Sequence, residues 1–172
     1  PEANDSETAI GLASFNHQPE FSRSLLMATF SAPDLNTKNR HMGGYGNAVV
    51  VFGSVTPTTG VLADVYRPVR IPAGTRVTDL DIVNDDLDTG GTSFSVKVGY
   101  EPVNSTDGPA ADDDYFSAAN TFLSVAGRKM CVFQPIKFER DVFVTLTVTF
   151  TATAFVSGAI TAIVKGDGEG IK

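Results

Sequence analysis

Tryptophan is absent from these 172 residues, cysteine occurs once and histidine twice. Each shortage excludes something. The single Cys131 cannot build an intramolecular disulfide framework, and no two histidines stand at zinc-ligand spacing beside it. It lies in the apolar run KMCVFQPI, which predicts a buried, inert thiol. His17 and His41 both precede residue 45, outside the β-patterned region, so a preorganised Ser-His-Asp or Cys-His set is hard to assemble. A catalytic sugar cleft would want aromatic platforms that a chain without tryptophan supplies poorly. The glycine clusters GGYG (43–46) and GDGEG (166–170) match neither the phosphate-loop nor the dinucleotide pattern. We therefore expect no enzyme, no catalytic residues, no metal and no cofactor.

Basic charge is also short. Thirteen Lys and Arg face twenty Asp and Glu, for a net charge of −7, which argues against a sequence-independent nucleic-acid binder. An acidic surface favours solubility and contact with a basic partner. No window reaches ~18 uninterrupted apolar residues, so no membrane-spanning helix is predicted. The opening PEANDSETAIG carries acids where a secretory leader needs a basic region and then an apolar run. That predicts synthesis in the cytoplasm, with loss of no more than an initiator Met.

What is present divides near residue 45. Residues 1–44 lack sustained periodicity and read as an extended N-terminal arm with scattered apolar anchors, Phe15, Phe21, Leu25, Leu26 and Phe30, and the cations Arg23, Lys38 and Arg40. Such a segment gains most by docking onto something else. From residue 45 to 172 the pattern becomes β. In VFVTLTVTFT (142–151), Val142, Val144, Leu146, Val148 and Phe150 alternate with Thr145, Thr147 and Thr149. In TSFSVKVGY (92–100), Phe94, Val96, Val98 and Tyr100 alternate with Ser93, Ser95 and Lys97. VTDLDIV sets Leu80 and Ile82 against Asp79 and Asp81. These are strands with one buried and one wet face. Further strands are expected at 47–55, 61–69, 130–136 and 158–165, with a single helix over 113–123. About eight strands with almost no helix predict an all-β, jelly-roll-like sandwich.

Ten of the twenty acids crowd into residues 79–114, where Lys97 is the one cation. The pattern predicts a hairpin over 79–100, with Asp79 and Asp81 on its solvent face guarding against edge-to-edge pairing. Asp85, Asp86 and Asp88 would then fall in its loop. Asn84, Asp86 and Asp88 begin like a calcium loop, but the glycine falls one place late and the twelfth position is Ser95 rather than Glu. A solvated turn is the better reading, and Asp112–Asp114 reads as a helix start.

The run from 46 to 103 resembles the capsid decoration (cement, or head accessory) proteins of tailed bacteriophages. The resemblance rests on Val51–Gly53, Asp64–Gly74, Asp88–Thr92, Gly99–Glu101, Asp112–Phe116, Val142–Thr151 and Ser157–Val164, in that order, and covers about residues 45–165. It implies a β-sandwich or jelly-roll virion protein on the capsid exterior that clamps neighbouring subunits of the major capsid protein and forms a homo-oligomer, a dimer or a trimer. The arm is longer than the family leads one to expect, and its residues named above are the candidate capsid or subunit contacts. The alternative is a carbohydrate- or receptor-binding β-sandwich of a phage tail or fibre, with calcium in the aspartate loop.

Overall fold

A computed structural model describes residues 27–32, 41–42 and 47–171, with backbone only at 41–42. Its core grows from the alternation in the sequence. On strand β11 (Val142–Phe150), Val142, Val144, Leu146 and Val148 are buried. They meet Pro102, Tyr100, Val98 and Val96 of the antiparallel β7 (Ser95–Pro102) in direct register. The first sheet runs β1 (Thr29–Ser31), β4 (Val65–Arg67), β11, β7, β8 (Asp112–Asn120), with β5 (Arg70–Ile71) continuing beside β11. The second runs β10 (Ile136–Phe138), β6 (Thr75–Asn84), β12 (Ile160–Gly168), β3 (Ala48–Val55), β2 (His41–Met42), with β9 (Gly127–Met130) also on β6. The facing sides pack Tyr66, Phe94, Phe116, Phe138, Leu80, Ile82 and Leu146 into one core.

β4 and β5 act as one broken strand on β11, and β9 and β10 as another on β6. Counted so, the strands from β3 onward number about eight. From β3 onward, with the broken strands counted as one, every connection except β7–β8 crosses from one sheet to the other. This is a jelly-roll order, as the patterning predicted. Gly53 serves the close approach of the two layers: a β-carbon there would overlap the carbonyl of Pro68 on the opposite side.

Several local expectations are corrected. Residues 79–100 form no hairpin, because β6 and β7 belong to different sheets. Their connection is a plug rather than a turn: Leu87 is wholly buried, and its backbone bonds Leu123 and Val156. The helix expected over 113–123 is strand β8 followed by a 3-10 turn, Phe122–Ser124. Local spacing there loses to an aromatic cluster. The Tyr100 ring lies 5.6 Å from Tyr115 and 6.1 Å from Phe116, and Phe116 lies 4.8 Å from Phe133. Between its pairs with Val96, Val98 and Tyr100, β8 places Asn120, Ser117 and Asp112, so it carries extra residues at each step. Such bulges re-aim side chains, which lets consecutive aromatics share a cluster. Gly99 allows the bulge to close, since a β-carbon there would strike the Asp112 carbonyl.

Phe150 does not continue the buried row of β11. The register shifts after Val148, and Phe150 turns out to 60% exposure. Of the segment 61–69 only Val65–Arg67 is strand, after a turn at 61–64 with Ala63 at φ 69°, and of 130–136 residues 131–135 form an irregular link between β9 and β10.

Candidate interaction surfaces

Half of the acidic cluster is paired with cations, most of them from distant sequence. Lys165 on β12 reaches Asp79 at 2.7 Å and Asp81 at 3.0 Å, and Arg128 on β9 also pairs with Asp81. Glu101 pairs with Arg67, Asp107 with Arg140 at 2.8 Å, and Asp113 with Lys97 at 3.2 Å. Asp81, expected on a wet face, is 2% exposed beneath its two partners. The Arg128 hydrogen bond, aided by Lys165 and opposed by burial, holds its carboxyl below the usual range. β6 is interior to its sheet, so Asp79 and Asp81 guard no edge. That position belongs to β8, whose Asp112, Asp113 and Asp114 line an outer strand of the first sheet.

The aspartate loop ties chain to chain. Asp85 Oδ2 accepts the Ala159 N–H at 2.7 Å, Asp86 Oδ1 that of Asp88 at 3.0 Å, and Asp88 Oδ1 that of Ala154 at 2.8 Å. Asn84 Nδ2 donates to the carbonyls of Asp85 and Val125. The calcium-like set of Asn84, Asp86 and Asp88 therefore serves separate backbone groups instead of one centre. Around buried Asp88, desolvation opposes ionisation, but the amides of Ala154, Thr153, Phe94 and Gly90 outweigh it and depress its pKa. Asp88 Oδ1 has the Ala154 amide as its donor, while Oδ2 is buried with no hydrogen-bond partner. A cleft of about 420 Å³ lies by Arg70, Arg140, Asp107 and Asp141, its arginines paired with the two aspartates.

Among the described residues, two apolar surfaces stand out. On the outer side of the second sheet, register aligns Phe52, Ile163, Asp81 and Met130 in one cross-strand row. Val83 with Arg128, and Val50 with Lys165 and Asp79, form the flanking rows. Phe52 is 57% exposed, Met130 64% and the adjoining Val132 89%. Sequence reading missed this face, although AVVVFGSV carries a signal: it is apolar at consecutive positions where a half-wet antiparallel strand should alternate.

The second surface is a corner of the first sheet. Wholly buried Asp64 accepts the N–H of Ala28 at 2.9 Å through Oδ1, and through Oδ2 the Thr59 hydroxyl at 2.8 Å and the Val61 N–H at 3.1 Å. Strand β1 then runs parallel to β4, and the Phe30 ring lies 5.8 Å from that of Tyr66. Met27, Val61, Leu62 and Phe150 are exposed where the turn at 61–64 meets the end of β11. Among the expected arm contacts, Phe30 is thus half-buried in its own body. Phe15, Phe21, Arg23, Leu25, Leu26, Lys38 and Arg40 lie outside the described residues.

No family model matches this chain, and no curated protein matches it. Solved structures do. A chain of the capsid of Ralstonia phage GP4 superposes with a TM-score of 0.66 at 17% identity, over 81% of this chain and 97% of that one. A chain of the cyanophage Pam1 capsid asymmetric unit superposes at 0.56 and 21% identity, over 74% and 89%. The jelly-roll-like fold of this chain is a fold found in chains of phage capsids.

Proposed function

We propose that this chain is a phage virion structural protein that decorates the capsid exterior, binding the outer surface of the major capsid shell and stabilising it by bridging neighbouring subunits. The likeness to chains of two phage capsids, covering nearly all of one of them, supports the virion part of this reading. The observation that carries the attachment part is the Asp64 anchor. It fastens the arm to the body at a corner where Met27, Val61, Leu62 and Phe150 are exposed. From there the preceding residues carry Phe15, Phe21, Leu25 and Leu26 as apolar anchors, and Arg23, with Lys38 and Arg40 further on, as partners for acids.

The mechanism is binding without chemistry. Attachments through arm and body to different shell subunits multiply by effective concentration. A ligand of the assembled shell that ignores separated subunits stabilises the shell by linkage. The test is co-sedimentation with undecorated shells, comparing the full chain with a deletion of residues 1–26. This boundary keeps β1 and the partner of Asp64. Saturable binding that the deletion removes supports arm-led attachment. Binding retained by the truncated chain moves attachment to the body. A full chain that leaves every shell bare overturns the proposal.

A further inference from the structure

The outer face of the second sheet has no covering element among the described residues. From it we infer that a second copy of this chain docks face to face on the row Phe52–Ile163–Met130, across a two-fold axis. The inference goes beyond the proposed shell attachment and does not depend on it.

Three observations select this occupant. The face is apolar at its centre, with Phe52 and Met130 more than half exposed and Val50, Val83 and Val132 around them. A contiguous exposed patch of this kind marks an interaction site. Its charges are balanced: Asp79 and Asp81 are met by Lys165 and Arg128, so closing the face over them buries no unpaired charge. Although the chain as a whole carries −7, the ion pairs within this face leave it close to neutral. This neutral face is where an acidic chain can approach itself. A face that compensates its own charges suits an isologous contact, with β3 of each copy laid over the other's sheet. The continuous apolar run of β3 is what a strand covered on both sides would carry.

Sedimentation equilibrium of the full chain, alone and with no shells present, tests this independently of attachment. The expected result is a dimer that persists or tightens when salt screens the net charge. Phe52→Glu and Met130→Glu, at exposed positions that leave the core intact, should each weaken it by roughly thirtyfold or more. Thr147→Glu, on the outer side of the other sheet, should leave it unchanged, and circular dichroism melts should show all three variants folded. A trimer, or a dimer indifferent to both substitutions, overturns the inference. So does a monomeric full chain. In that case, dimerisation on deleting residues 1–26 would assign the face to the chain's own arm, and loss of shell binding by Phe52→Glu would assign it to the shell.

Discussion

The carboxylate of Asp64 accepts the backbone N–H of Ala28 at 2.9 Å, a bond between residues 36 positions apart that joins the start of β1 to the turn before β4. Replacing Asp64 by Ala orphans this donor together with the Thr59 hydroxyl and the Val61 N–H. Asp64→Ala should cost at least about 2 kcal/mol in urea unfolding. It should also speed hydrogen exchange at Val65, whose N–H bonds the Ala28 carbonyl. Stability within about 0.5 kcal/mol of the parent would remove Asp64 as the anchor.

Acid should destabilise the fold through Asp81 and Asp88. Both carboxyls are held below their ordinary values, by Arg128 and Lys165 in one case and by backbone amides overcoming burial in the other. In the unfolded chain they titrate near about 3.9. Below that value the unfolded state binds more protons, so stability falls as pH drops toward the folded pKa values. The melting temperature should be level with respect to these groups from about pH 5 to 7 and decline below about 4. Asp88→Asn should melt lower at neutral pH and show a shallower acid decline. An acid slope equal to the parent's would exclude Asp88 as a contributor.

Gly99→Ala should destabilise by about 1–3 kcal/mol, because its new methyl group collides with the Asp112 backbone and the bulge of β8 must open. Chemical shifts of Tyr115 and Phe116 should move with it, since their rings pack on Tyr100 next door. A neutral substitution with unmoved shifts would show that β8 yields without cost.

Cys131 is 6% exposed, and burial pushes its thiol up to about 11. At pH 8 it is protonated and shielded, so Ellman's reagent should find almost no thiol in the native chain and one per chain in guanidinium. Rapid native labelling would contradict the packing around β9.

The strands with one apolar face were legible in the sequence because burial on one side of a sheet imposes a period of two. β11 and β7 keep that period almost throughout, and the sandwich class follows from it. β8 was not legible. Its spacing mimics a helix, and only the aromatic cluster with Tyr100 and Phe133 selects the bulged strand. The hairpin reading of 79–100 failed for a similar reason: nothing local says that Leu87 plugs the core and sends the chain to the other sheet.

The interaction surfaces divide the same way. Composition made the chain acidic and short of histidine and cysteine, alternation made it β-patterned, and the order of motifs pointed to a fold that chains of phage capsids share. Tertiary structure decided which acids matter. Asp79 and Asp81 look like free surface charge in sequence, yet β12 and β9 lay Lys165 and Arg128 across them and leave a neutral apolar face. Periodicity records which side of a strand is buried. Strand order, which a sequence does not display, decides what each exposed side chain meets.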